Sequence, residues 1–388
     1  TSFMIPKTVT EIAPYAFTNN SNIEEITFED GITLFVIPSG MFSDCQNLRR
    51  VGYADGYNHL PDMVAIIGTY AFYNCKSLES FAIPDSLMNI MDSAFEHCHA
   101  MTEVKLNYQL SYVGETAFAD CRSLTGFVGY SNSFNGYMGF VVIDGVLYRD
   151  DPASKSLVCY PGGKTGDTYT VNENVSSLDV GCFWGNGHLK TVTLTDSITK
   201  VPPMAFMVCT ALTTVNFSKK TLTIEDIAFS GCSSLTTLNG WDGVKTIEWG
   251  AFVGAGFTEL TIPESVNSIG SSAFQRNSSL EKVTIPDTEV VIGPETFLEC
   301  FNLKTIDFKG DAMELQEGAL DIGTADHTVR VDVNLIYGAS IPSNSVTNDY
   351  TVLDVNKEGE HPYPWENLIG VAVCLLILLG IVRLIKEV

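Results

Sequence analysis

The sequence predicts a repeat solenoid, a stack of short β-rich coils with a parallel strand in each, followed by one membrane-spanning helix. Two observations carry this reading. A phrase built on Ala-Phe returns along the chain at steps of mostly 23 residues. An unbroken apolar run, residues 368–382, stands close to the end.

The repeat comes first. From Ala71 the chain reads AFYNCKSLESFAIP, from Ala94 AFEHCHAMTEVKL and from Ala117 AFADCRSLTGFV. The phrase returns at Ala205, Ala228, Ala251, Ala273 and Thr296, with looser copies at Ala16, Met41 and Cys182. Its anchor phenylalanines are Phe17, Phe42, Phe72, Phe95, Phe118, Phe183, Phe206, Phe229, Phe252, Phe274 and Phe297. Within each copy a short run rich in Val, Ile and Thr, such as Leu189 to Leu194 or Leu280 to Ile285, reads as a strand. Pro84, Pro263 and Pro286 follow such runs, where a missing N–H ends the ladder without harm. A second apolar pair, as in Val266 and Ile269, leads into the Ala-Phe turn. One copy cannot bury these side chains alone, whereas stacked copies make a continuous core.

The phrase Ile-x-x-x-Ala-Phe-x-x-Cys-x-x-Leu-x-x-Val resembles the BspA-type leucine-rich repeat, over roughly residues 1–320. The fold class expected is therefore a leucine-rich-repeat solenoid of the α/β horseshoe type, β-rich, with short helical turns on the convex side and about 11–12 coils. The resemblance also implies a surface protein involved in attachment.

Between Phe118 and Phe183 the gap is too long for one coil. Residues 126–181 are read as an insertion, with turns at Asp144-Gly145, Asp151-Pro152 and Pro161-Gly162-Gly163 and thus one or two hairpins. Its DGVLY and YPGGK phrases resemble an insert found in the same family. Gly-Gly-Lys-Thr at 162–165 lacks the first glycine of a phosphate loop and no helical pattern follows, so it reads as a turn. Tyr130, Phe134, Tyr137, Met138 and Phe140 stand in a Gly/Ser/Asn context and are the candidate ligand contacts, because loop insertions in repeat proteins commonly carry recognition.

At the ends, TSFMIP matches the middle of a copy, so the N-terminal cap and a signal peptide are expected upstream. Residues 321–356 contain two strand-like runs, 328–333 and 350–355, expected to close the stack. A polar linker, 357–366, leads to the expected membrane helix at 367–385, roughly 27 Å long. Trp365 is its interfacial aromatic and Arg383 its snorkelling cation. The positive-inside rule puts the tail, 386–388, in the cytoplasm and the repeats outside, as in a single-pass cell-surface protein.

Seven of ten cysteines, Cys45, Cys75, Cys98, Cys121, Cys209, Cys232 and Cys300, stand three residues after an anchor Phe. Elsewhere that slot holds Asn20, Asn186, Ala255 and Asn277. A slot that accepts Cys, Asn or Ala is small and inward-facing, so a ladder of reduced thiols is expected. An asparagine there would need backbone partners. His97-Cys98-His99 suggests zinc, but Cys98 belongs to the ladder and no fourth ligand is evident, so neither metal nor cofactor is expected. There is no GxSxG, and the six histidines are scattered through turns. Nothing argues for an enzyme.

Charge narrows the partners. The balance of 46 acidic to 22 basic residues, net −24, repels nucleic acid. Solvent-facing strand positions such as Glu25, Arg50, Glu103, Lys105, Thr191, Thr193, Thr214, Asn216 and Lys282 are polar and Thr-rich. Threonine is a good strand former on a solvated face, so this surface reads as that and not as a dedicated groove. The solenoid and the family resemblance suggest a binding or adhesion scaffold for an extracellular protein or glycan, held to the membrane by its last helix. The alternative is a passive stalk or surface-layer element displaying an upstream domain.

Overall fold

The computed structural model describes residues 1–53, 59–80, 82–129, 139–151, 154–310, 313–316, 318–320, 329–333 and 350–351. The described residues form two compact bodies, those within 1–190 and 204–211, and those within 191–203 and from 212 onward. Each is a stack of coils in which successive copies pair in parallel. In the first, Ser2–Ile5, Glu25–Phe28 and Arg50–Tyr53 make one sheet. Val36–Ile37, Ile66–Ile67, Asn89–Ile90 and Tyr112–Val113 make another. In the second body, one sheet joins Thr191–Thr193, Thr214–Asn216 and Thr237–Asn239. Another runs through Glu259–Thr261, Lys282–Ile285, Thr305–Phe308, Val329–Val333 and Tyr350–Thr351. Two-residue strands line its other side, from Lys200–Val201 to Ser268–Ile269.

The strand pattern follows the two-residue period. In Lys282–Ile285, Val283 and Ile285 are buried while Lys282 is exposed. Thr305–Phe308 buries Ile306 and Phe308 in the same way. The inward residues meet the anchor rings, which stack coil on coil. Phe72, Phe95 and Phe118 lie nearly parallel, with centroids 5.2 and 5.4 Å apart. Phe229, Phe252 and Phe274 repeat this at 5.2 and 5.4 Å. Phe17 is half-buried, and the other anchors are buried.

The third side of each coil corrects one expectation. The Ala-Phe segments are not helical; the described residues contain no α-helix, and the one 3-10 turn is Trp241–Gly243. The reason lies in the backbone. Residues two before and two after an anchor take left-handed φ, for example Tyr70 and Asn74 (both 58°), Ser93 (53°) and His97 (63°), or Ser272 (56°) and Arg276 (60°). A helix cannot propagate through such residues. Instead the amides alternate. Those of Ala71 and Cys75 bond within the turn, to Gly68 and Phe72. Those of Tyr70, Phe72 and Asn74 donate to Asp92, Ala94 and Glu96 of the next coil at 3.1, 2.8 and 2.8 Å.

The insertion contains a hairpin and a disguised coil. Gly139–Ile143 and Val146–Asp150 pair antiparallel around Asp144-Gly145, whose φ angles of 51° and 77° suit a type I′ turn. Lys155–Cys159 extends this sheet and then pairs in parallel with Val175–Leu178. Tyr160 takes the anchor position. Its ring stacks on Phe183 at 5.2 Å, and its amide donates to the Cys182 carbonyl at 2.7 Å, as an anchor Phe would. The Pro161-Gly162-Gly163 segment is pressed onto the preceding coil. A Cβ on Gly162 would stand 2.7 Å from the Cys121 carbonyl oxygen, and one on Gly163 would stand 2.7 Å from that of Arg122.

Two stability changes follow. Phe95→Ala is expected to lower the unfolding free energy by about 3–5 kcal/mol. A loss below about 1 kcal/mol in denaturant titration would show that the ring column is not the core. Val208, β-branched and at φ 57°, sits in a strained conformation. Val208→Asn is expected to raise stability by about 1 kcal/mol, and an unchanged or lower midpoint would remove strain from the account.

Candidate functional site

Stacking turns every non-core column of the repeat into a surface row. On the strand side of the second body, Thr191, Thr214 and Thr237 stand in register, as do Thr193, Asn216 and Asn239. Asn239 Nδ2 donates to Asn216 Oδ1, and Asn216 Nδ2 to Thr193 Oγ1, each at 2.9 Å. This row satisfies itself.

The turn side of the first body differs. Side chains two before the anchors (Tyr15, Tyr70, Ser93, Thr116, Met204) and one after them (Ser43, Tyr73, Glu96, Trp184) line a groove of about 650 Å³. Asp92 and Glu115 add carboxylates to its lining, and among the described residues no Lys or Arg lines it. Tyr15 and Tyr70 are 53% and 42% exposed, a large fraction for aromatic rings in a stacked protein. Tyr70 packs edge-on to Tyr73 at 5.5 Å, Tyr73 to His97 at 5.4 Å, and His97 to Trp184 at 5.5 Å. The groove is therefore aromatic and negative.

Beside it lies a buried carboxylate. Asp120 is 1% exposed. His97 Nδ1 and His99 Nε2 lie 2.7 and 3.0 Å from its Oδ2, and Arg122 Nε donates to Oδ1 at 2.8 Å. Burial pushes the Asp120 carboxyl up, but hydrogen bonds from His97, His99 and Arg122 outweigh it and hold the group well below its usual range. Glu96 Oε1 stands 3.4 Å from His97 Nε2. Burial pushes the Glu96 carboxyl up, against hydrogen bonds from Ser93 and Thr116. The fit is close. A Cβ on Gly185 would stand 2.2 Å from Asp120 Oδ1, so only glycine follows Trp184 here.

The residues singled out from the sequence fall in three places. Of the insertion aromatics, Tyr130, Phe134, Tyr137 and Met138 lie outside the described residues. Phe140 is not a surface contact; it is buried in the core, with the Arg149 guanidinium 5.4 Å from its ring. Strand alternation turns it inward, where an apolar ring belongs. Among the described residues no helix is long and apolar enough to cross a membrane. The expected span at 367–385, its linker and tail, and Trp365 and Arg383 all lie outside those residues.

The cysteine column is buried and its members form no disulfides. Sγ of Cys45, Cys75, Cys98, Cys121, Cys209 and Cys300 donates to the anchor Phe carbonyl of the preceding coil at 3.0–3.2 Å. Asn277 fills the same slot with its amide, donating to the Phe252 and Phe274 carbonyls. The groove residues and Asp120 escaped sequence reading, although a signal existed. Tyr15 and Tyr70 share one column, Tyr73 and Trp184 another, His97 and Asp120 a third. Burial pushes the thiols of Cys75, Cys98 and Cys121 well up, and those of Cys209 and Cys300 to about 12. These thiols should resist iodoacetamide at pH 8 in the native protein and react fully once unfolded. Rapid native labelling of Cys98 or Cys121 would contradict the ladder.

Comparison with known proteins agrees with the architecture. Residues 1–64, 57–136, 164–255 and 199–324 match the BspA type leucine rich repeat region, in six copies. A leucine rich cell surface protein from Faecalibacterium prausnitzii is similar in structure, with TM-score 0.59 and 23% identity over 84% of this chain and 82% of that one. The pneumococcal vaccine antigen PcpA gives TM-score 0.60 and 21% identity over 91% and 79%. A leucine-rich repeat protein from Eubacterium ventriosum gives 0.55 and 20% over 84% of each chain. No curated protein matches in sequence. At these identities the structural likeness speaks for the fold alone, while the repeat match spans most of the sequence. The chain belongs to the BspA-type leucine-rich-repeat family.

Proposed function

We propose that this chain is a cell-surface binding scaffold, and that a protein or glycan ligand seats in the turn-side groove of its first body. One observation carries the reading: exposed Tyr15 and Tyr70 stand over a groove whose charged lining is wholly acidic. Tyrosine faces accept the apolar faces of sugars and the cationic ends of Lys and Arg side chains. The carboxylates of Asp92, Glu96 and Glu115 accept hydrogen bonds from hydroxyls or ammonium groups. Kinship with a family of surface proteins supports this role, and so does the resemblance of the fold to a leucine rich cell surface protein. Tyr130, Phe134, Tyr137 and Met138 of the insertion are proposed as a second contact. Residues 367–385 would anchor the protein, with Trp365 at the outer interface and Arg383 at the inner one.

A passive stalk is the second reading. What favours it is the Asn239–Asn216–Thr193 row, whose side chains satisfy one another and offer few free groups to a ligand.

Binding of the purified chain to arrays of glycans and matrix proteins separates the two. Tyr15→Ala with Tyr70→Ala is expected to weaken the interaction about tenfold or more, as loss of exposed aromatic anchors does. Binding that survives both changes and Glu115→Gln would remove the groove from consideration. No interaction on any array would favour the stalk.

A further inference from the structure

We propose that His97, His99 and Asp120 form a site for a divalent transition-metal ion, zinc being the best fit to two imidazoles and one carboxylate. The donors are His97 Nδ1, His99 Nε2 and Asp120 Oδ2, and the three ligand atoms all lie within 4.8 Å of one another.

His97 stands between two carboxylates. Its Nδ1 faces Asp120 Oδ2 at 2.7 Å, and its Nε2 faces Glu96 Oε1 at 3.4 Å. A neutral imidazole has one N–H and one lone pair. Either tautomer therefore aims a lone pair at a carboxylate oxygen. A proton on the ring or on the Glu96 carboxyl removes that conflict, and so does a metal ion on Nδ1 with the Nε2–H given to Glu96. His99 adds a second ring nitrogen. Its Nε2 converges on the same Asp120 oxygen, at 3.0 Å, so two ring nitrogens and one carboxylate oxygen meet at one point. Asp120 Oδ2 either accepts an N–H from each ring or shares one metal ion with them, and zinc titration separates the two.

The surroundings suit an ion. In a tetrahedral site with zinc-to-ligand distances of about 2.0–2.2 Å, neighbouring donors stand about 3.3 Å apart. The Oδ2 separations of 2.7 and 3.0 Å need to open by about 0.3–0.6 Å, and the two ring nitrogens, within 4.8 Å of each other, need to settle at the same spacing. Arg122 Nε keeps Oδ1 at 2.8 Å as an outer hydrogen bond, leaving Oδ2 for the metal. Its Nη2, at 3.2 Å from Oδ2, must turn outward, which its half-exposed side chain permits. Glu96 takes the part of the carboxylate that orients a ligating histidine. The fourth position faces solvent, since both histidine side chains are 24–29% exposed. The site is assembled from the second and fourth positions after two successive anchors, Phe95 and Phe118.

The test uses the purified full chain, stripped with a chelator and dialysed. Zinc titration by calorimetry should give one site with a micromolar dissociation constant, and cobalt should give a tetrahedral d–d spectrum displaced by zinc. His97→Gln and His99→Gln should each abolish the site, and Glu96→Gln should weaken it by about 10–100-fold. His188→Gln, outside the cluster, should leave it unchanged. Circular dichroism and the unfolding midpoint of each variant without metal separate loss of the site from loss of the fold. No zinc uptake by the folded chain, or uptake undiminished in folded His97→Gln and His99→Gln, overturns the proposal.

Discussion

Each coil must hand its unpaired amides to the next one, and the rest of the molecule is organised around that demand. On the turn side this works only because the residues two before and two after each anchor adopt left-handed backbone, which points alternate N–H groups along the stack. The anchor ring is then carried directly over its neighbour, and the slot three residues later opens toward the preceding anchor's carbonyl. A thiol fills it by donating one hydrogen bond, and the Asn277 carboxamide by donating two. Ala255 fills it without one, which tells us that size, not chemistry, sets the limit there. The left-handed positions explain much of the composition. Asn19, Asp44, Asn74, Asp120, Gly185, Gly231 and Gly254 are residue types that tolerate positive φ. His97, Val208, Arg276 and Glu299 occupy the same column at a cost, and His97 has the Asp120 contact in compensation.

The insertion shows how far this rule stretches. Its third strand enters the stack as a coil in its own right, with Cys159-Tyr160 where other coils have Ala-Phe. Pro161 has no N–H to hand on, and the coil continues through Gly163, whose amide donates to the Leu124 carbonyl at 2.8 Å. Beyond that point the coils of Phe118 and Phe183 meet directly, the Asp120 amide donating to the Trp184 carbonyl at 3.2 Å. The wedge brings Trp184 against His97 and leaves Gly185 beside the Asp120 carboxylate. A polar cluster and an aromatic groove thus arise where the repeat is interrupted.

Function in such an architecture resides in columns. The core columns are interchangeable from coil to coil, and they carry stability. The columns flanking the anchors are free to vary and, read across coils, compose a surface. In the first body they compose rows of Tyr, Trp, Glu and His. In the second, the strand-side rows of Thr and Asn close on themselves. A net charge of −24 spread over these surfaces favours cationic or neutral ligands over nucleic acid.

The stack itself was legible in the sequence. A period of 23 residues, anchors such as Phe72 and Phe95, strands such as that around Val283, and an inward cysteine column are all one-dimensional facts, and a repeat needs only its neighbours to bury a core. What the sequence could not decide is how the turns are built and which distant columns touch. The expected helical turns became left-handed links, because inter-coil hydrogen bonding outweighs local propensity there. Phe140, read as a surface ring, turned inward because a hairpin's register sets which face each residue takes. Tyr160 was hidden because it anchors a coil without the family phrase. Asp120 meets His97 and His99 only once two coils are stacked at a definite offset, and that offset is a property of packed backbones, absent from any single copy.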